Sequence, residues 1–225
     1  MKSRFRPAVP REQISESVSP LAVKLHHYYH VYADGAWREP VEEHLLALKM
    51  SGLQAQPGFS LKVGFVGSEV NIAAACECLN RGSVRWSEIA RAVKGWEQVT
   101  LTVLADESRT SDGLVFYAHT KGASAPSRFN TAGRQRMTYH TVTCWREATQ
   151  SLETHDAYGC HWMKLNESWL FAGNFWWTRM CHLRLLPLPG AHSRWAAEDW
   201  IGLLPRYISG FSACDPAGPF PGKIG

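Results

Sequence analysis

The order of three segments near the start of the chain constrains the fold more than any other feature. Residues 24–32 (KLHHYYHVY) are rich in aromatic and β-branched side chains and read as a strand ending at the turn Ala33-Asp34-Gly35. Residues 39–50 (EPVEEHLLALKM) read as a helix, with proline in the first turn, acidic residues early and a lysine late. Val41, Leu45, Leu46 and Leu48 leave it an apolar face, and Gly52 stops it. Residues 61–66 (LKVGFV) read as a second, buried strand. Strand, helix and strand in this order form a βαβ unit, hence parallel pairing, and the fold class expected is α/β.

Further along, residues 69–79 and 87–93 read as helices and residues 98–104 (QVTLTVL) as a third strand. Residues 115–118 then form a short apolar strand that delivers His119, Thr120, Lys121 and Gly122 to its C-terminal end. Ligands of open α/β sheets sit outside the carboxyl ends of the strands, and a lysine with flexible backbone there suits a phosphate. His119 and Lys121 are two apart, so in extended chain they share a face. Beyond them come a helix over 134–152, short strands over 161–164 and 168–172, and the turn Gly173-Asn174-Phe175-Trp176-Trp177. Short helices over 179–186 and 195–204 complete the pattern, the second carrying Glu198-Asp199. The expected layout is a loosely ordered arm over 1–20, a domain over 21–210 and a Gly/Pro-rich tail over 211–225.

Composition narrows the partners. A net charge of +4 over 225 residues is compatible with an anionic ligand but too small and dispersed for a nucleic-acid groove. Cys76-x-Cys78 is too tight for a zinc knuckle, so the six cysteines read as free thiols of a reducing compartment. With no apolar leader and no stretch of transmembrane length, the chain reads as cytoplasmic. No nucleophile elbow, Walker loop or Gly-x-Gly-x-x-Gly is present.

Four sites are candidates for chemistry, each set against a structural alternative: a plain turn at Asp34, a solvated loop at His119–Lys121, core aromatics after Gly173 and a solvated helix face at Glu198-Asp199. Asp34 ends the first strand, where a carboxylate can meet a ribose or base edge. His119, Thr120 and Lys121 suit a diphosphate. In Gly173-Asn174-Phe175-Trp176-Trp177 the asparagine offers donor and acceptor, and two adjacent tryptophans cannot both enter one core, so at least one is expected to line a cleft and stack on a sugar or base. Glu198 and Asp199, beside Trp200 and after Arg194, offer a desolvated carboxylate as a base.

In this order, His-Thr-Lys-Gly, Gly-Asn-Phe-Trp-Trp and a small residue followed by Glu-Asp resemble glycosyltransferases of the GT-A fold, particularly small bacterial and phage-encoded ones. The resemblance spans roughly residues 25–204. It implies a Rossmann-like mixed sheet with a parallel nucleotide-binding first half and an aromatic-rich acceptor half. It also implies transfer of a sugar from a nucleotide-sugar donor to a hydroxyl of a glycan or protein, with inversion and Asp199 as base. By the same resemblance, Gly173 and Asn174 face the donor sugar and acceptor. An Asp-x-Asp element holding manganese or magnesium is usual in that family. Here His119-Thr120-Lys121 stands in its place, so either Lys121 and His119 neutralise the diphosphate or Asp106, Glu107 or Asp112 supplies a metal ligand. The competing expectation is a non-catalytic carbohydrate-binding or degenerate transferase-fold protein, for which the tryptophan-rich half would suffice. A glycoside hydrolase would need two carboxylates facing across the sugar, and Glu198 and Asp199 are adjacent.

Overall fold

The computed structural model describes residues 23–165, 168–191, 193–203 and 209–214. The arm expected over 1–20 lies outside these residues. The expected βαβ unit is present as β1 (Leu25–Tyr32), α1 (Arg38–Met50) and β2 (Phe59–Val66), followed by α2 (Glu69–Arg81). Next come β3 (Trp86–Ala92), α3 (Gln98–Ser108) and β4 (Leu114–His119). The second half comprises α4 (Arg128–Thr138), α5 (Trp145–Ser151), β5 (Ala157–Gly159), β6 (Trp162–Leu165), β7 (Ser168–Phe171), β8 (Trp176–Arg179), α6 (Met180–Leu183), α7 (Ala196–Asp199) and β9 (Gly210–Ser212). Residues 211 and 212, expected in the tail, therefore belong to a strand, and Phe211 stacks on Tyr158.

Seven strands form one sheet in the order β3-β2-β1-β4-β8-β5-β9. β1 pairs in parallel with both β2 and β4, and β2 with β3. β8 runs antiparallel to β4 and to β5, while β5 and β9 are parallel. β6 and β7 form a separate hairpin. The fold is thus α/β, with a mostly parallel seven-stranded sheet and flanking helices. The strand order reverses between β1 and β4, which opens a crevice at their carboxyl ends.

Two adjacent segments are interchanged relative to the sequence reading. Residues 87–93, expected as helix, lie in β3, and residues 98–104, expected as strand, lie in α3. β3 is an edge strand with no fully buried position, so it lacks the apolar run that marks an interior strand. α3 is rich in β-branched residues, yet Thr100, Leu101, Leu104, Ala105 and Ser108 form one buried face at helical spacing. Gly64 in β2 makes this packing possible: a Cβ there would lie 2.1 Å from Thr100 Oγ1.

The sheet is buried on both faces, and this overturns the expectation for Trp176 and Trp177. Successive strand residues point to opposite sides. Trp177 joins the core under α1, α2, α4 and α5, stacked on Phe116 with centroids 5.1 Å apart. Trp176 enters the other core, with α3, α6 and α7, stacked on Tyr117. The indole of Trp177 donates to the Thr141 carbonyl, and that of Trp176 donates to Asn174 Oδ1. Neither lines a cleft; there are two cores, one for each. Among the described residues no helix is long and apolar enough to cross a membrane, and all six cysteines are free.

Candidate active site

A cavity of about 520 Å³ opens at the carboxyl ends of the parallel strands. β1 contributes His30 and Tyr32, the turn after it Asp34, and β2 Val66. The segment Val93-Lys94-Gly95-Trp96-Glu97 joins β3 to α3 and forms one wall. β4 and the loop after it supply His119, Thr120, Lys121 and Gly122, while Arg194 and Glu198 close the opposite side. Of the residues singled out from the sequence, Asp34, His119, Thr120, Lys121 and Glu198 therefore meet at one cavity.

Each is held differently. Asp34 Oδ1 accepts from the Ser68 amide (3.0 Å) and from Asn71 Nδ2 (2.8 Å), at the N-terminus of α2. These bonds hold its carboxyl below the usual range, the Ser68 amide contributing most. Gly67 is required beside it, because its φ is +151° and a Cβ would lie 3.0 Å from Asp34 Oδ1. Thr120 is buried, and its hydroxyl accepts from the Tyr32 amide at 2.9 Å, latching the end of β4 to the end of β1. The backbone of Lys121 is fixed by Arg134, which donates to the Lys121 carbonyl (3.0 Å) while pairing with Glu43 (2.8 Å) and Glu39 (3.0 Å). Neither Lys121 nor Lys94 forms a salt bridge with any described residue. Arg194 lies over the Trp195 ring, 4.6 Å from its centroid.

The most connected group at the site, Glu97, was not read from the sequence. It sits at the N-cap of α3. Its Oε2 accepts from Tyr117 Oη (2.9 Å) and Asn174 Nδ2 (2.6 Å), and its Oε1 lies 3.6 Å from His119 Nδ1. Burial pushes its carboxyl up, but the His119 and His30 imidazoles and the two donated hydrogen bonds outweigh burial and hold it below the usual range. His30, whose Nδ1 meets Thr100 Oγ1 at 2.8 Å, is lowered to about 4 by burial. Burial also lowers His119, against the attraction of Glu97 and with the help of Lys121. Lys94, Trp96 and His30 were missed as well. The available signal was Lys94-Gly95-Trp96-Glu97 at the end of a strand, hidden because that strand was read as helix.

The Gly173–Trp177 turn does not face the cavity. Asn174, Phe175, Trp176 and Trp177 are buried, so the contact with donor sugar and acceptor expected of Gly173 and Asn174 is corrected to a supporting role. Asn174 holds a left-handed φ of +57° and is fully hydrogen-bonded: Nδ2 donates to Glu97 and to the Ala197 carbonyl (3.3 Å), and Oδ1 accepts from Trp176. It thereby ties Glu97 to α7, which brings Glu198 to the cavity wall. Gly173 offers its carbonyl to His119 Nε2 at 3.0 Å. Asp199 follows Glu198 but is not among the lining residues.

The three carboxylates suggested as metal ligands lie at the other edge of the sheet. Glu107 accepts from Tyr28 and pairs with Lys62, Asp112 pairs with Arg184 and precedes β4, and Asp106 faces Arg109. β4 separates them from Lys121, so they cannot serve a ligand in the cavity. Among the described residues no group of three or more His, Cys, Asp or Glu side chains is arranged to hold a metal ion. Asp34, Glu97, Glu198 and His119 line the cavity itself, and Lys121 stands where the family resemblance expects an aspartate.

No family model and no curated protein matches the sequence. Similar solved structures include a protein assigned as a nucleotide-diphospho-sugar transferase from Desulfovibrio desulfuricans G20, at 10% identity and a TM-score of 0.44, covering 86% of this chain and 80% of that one. Another is a 4-diphosphocytidyl-2C-methyl-D-erythritol synthase from Anaerococcus prevotii DSM 20548, at 7% identity and a TM-score of 0.43, covering 86% of this chain and 90% of that one.

Proposed function

We propose that the chain is a glycosyltransferase that moves a sugar from a nucleotide-sugar donor to a hydroxyl of a glycan or protein, in a single displacement with inversion. The observation that carries this reading is the convergence of Lys94, Lys121 and Arg194 with Asp34, His119 and Glu198 on one cavity at the carboxyl edge of the parallel strands. Breaking a sugar–phosphate bond requires stabilisation of the departing diphosphate, and three basic side chains at the mouth of a strand-end crevice supply it without a metal. Asp34, anchored at the N-terminus of α2, has a second carboxylate oxygen for a ribose or base edge. His119, Glu97 and Glu198 are the wall groups able to accept the proton of the acceptor hydroxyl, and Asp199, the base implied by the family resemblance, adjoins the last of these.

The competing carbohydrate-binding reading drew on the tryptophan pair as a stacking surface. Both rings are buried in the two cores, so that support is gone. The deciding experiment incubates the purified chain with a panel of nucleotide sugars and measures release of nucleoside diphosphate, with and without acceptor glycans. Release above the uncatalysed rate from at least one donor is expected. No release from any donor, with glycan binding intact, would favour the binding protein instead.

A further inference from the structure

Arg194 and Glu198 reach the cavity from residues 187–200, a strap whose regular structure is the short α7 and the 3₁₀ turn after it. Pro187, Leu188, Ala191, Arg194 and Trp195 are exposed along it. Its ends are tied down. The Trp200 indole donates to the Pro187 carbonyl (2.7 Å), and Asn174 Nδ2 donates to the Ala197 carbonyl (3.3 Å). Between these ties, Gln98 in the first turn of α3 grips the strap's backbone. Its Nε2 donates to the Gly190 carbonyl (3.0 Å) and to the Ser193 carbonyl (2.7 Å). The Ser193 carbonyl belongs to the rigid peptide plane that joins Ser193 to Arg194, and it also accepts the Ala196 amide at 3.3 Å.

Packing alone does not account for this glutamine. Gln98 is 7% exposed, and its Oε1 is buried with no hydrogen-bond partner among the described residues. A buried carbonyl without a donor is destabilising and rare enough in native proteins to call for a reason. Turning the amide over would set Oε1 against two carbonyl oxygens and lose both bonds, so the strap dictates its orientation. Gln98 also follows Glu97 directly, and Lys94, Gly95, Trp96 and Glu97 form the facing wall of the cavity. The start of α3 therefore couples two walls, with Lys94 before it and Arg194 beyond the Gln98 side chain.

Resting on the glycosyl-transfer reading, we propose that Gln98 is a positioning residue for the departing diphosphate: by holding the Gly190 and Ser193 carbonyls it fixes Arg194 on the side of the cavity opposite Lys121. Gln98 does not line the cavity and acts through Arg194. A guanidinium meets a phosphate best through two parallel N–H bonds, a geometry that a backbone shift of about an ångström loses. The Arg194 head group rests on the Trp195 ring, 4.6 Å from its centroid, while Gln98 holds the peptide at its base. The arm is ordered before the diphosphate arrives, which leaves less conformational entropy to lose on binding.

Gln98→Leu tests this, because it keeps the size and removes both donors together with the orphaned carbonyl. Its urea midpoint is expected to hold or rise, since Gly190 and Ser193 are half-buried and their carbonyls can turn to water. Calorimetric titration uses the uridine, guanosine, cytidine, adenosine and thymidine diphosphates. Affinity for those that wild type binds is expected to fall about three- to tenfold in Gln98→Leu and about tenfold or more in Arg194→Ala, the range for loss of a bond to a charged group. In the Arg194→Ala background, Gln98→Leu is expected to add less than about twofold, because the residue it acts through is gone. Tryptic cleavage after Arg194 is expected to speed up in Gln98→Leu while cleavage elsewhere keeps its rate. Wild-type affinity in Gln98→Leu, an undiminished effect in the Arg194→Ala background, unchanged cleavage after Arg194 or a lowered urea midpoint would overturn the inference and leave the transfer reading standing. Absence of binding of all five diphosphates by folded wild type would overturn both.

Discussion

Asn174→Ala separates a supporting role for this residue from a ligand contact. The side chain is fully buried and makes three hydrogen bonds, one of them to an ionised carboxylate. Losing a bond to a charged partner costs roughly 1.5–3 kcal/mol, and orphaning the buried Trp176 indole N–H about 1–3 kcal/mol. Alanine at φ +57° adds about 1 kcal/mol, because only glycine and asparagine occupy that region readily. The expected loss is on the order of 4 kcal/mol, a large share of the roughly 5–15 kcal/mol that holds a domain together. Urea denaturation followed by tryptophan fluorescence should show it, and Asn174→Gly should be less destabilised by about 1 kcal/mol because the backbone term disappears. Denaturation of Asn174→Ala within about 1 kcal/mol of wild type would refute the reasoning and return Asn174 to the role of a ligand contact.

Acid should destabilise the protein well above the ordinary carboxylate range. The unfolded chain protonates His30 near 6.5 but the folded one only near 4, so stability is full above about 6.5 and falls as pH drops toward 4. His30 alone accounts for about 2 kcal/mol by pH 5, and a flat urea midpoint between pH 7 and pH 5 would contradict this. Gly64→Ala should lower the melting temperature, with a cost of about 1–3 kcal/mol, because its Cβ would meet Thr100 Oγ1 at 2.1 Å and push α3 from the sheet.

Much of the parallel half and the residues at its strand-end cavity were legible because their signals are local. A buried strand, a capped helix and a turn carry periodicities that packing reinforces, and His119 to Gly122 follow such a strand directly. β3 was not legible, because an edge strand buries too little to show an apolar run, while α3 hides helical spacing behind β-branched residues. Losing that boundary also hid Glu97, whose importance lies in partners at Tyr117, His119 and Asn174, none of them near it in sequence. The tryptophan pair was misjudged for a tertiary reason: adjacent residues of a strand serve opposite faces, and here both faces are covered. Asn174 looked like a ligand group for the same property that makes it a good buried hub, a donor and an acceptor on one short side chain.

The most direct measurement is calorimetric titration of the folded protein with the uridine, guanosine, cytidine, adenosine and thymidine diphosphates, in EDTA and again with manganese. The account predicts that at least one binds in EDTA, and that Lys121→Ala weakens it by about tenfold or more, equivalent to about 1.4 kcal/mol. No binding of any of the five under either condition, by protein shown to be folded, would contradict a nucleotide-sugar site at the end of β4.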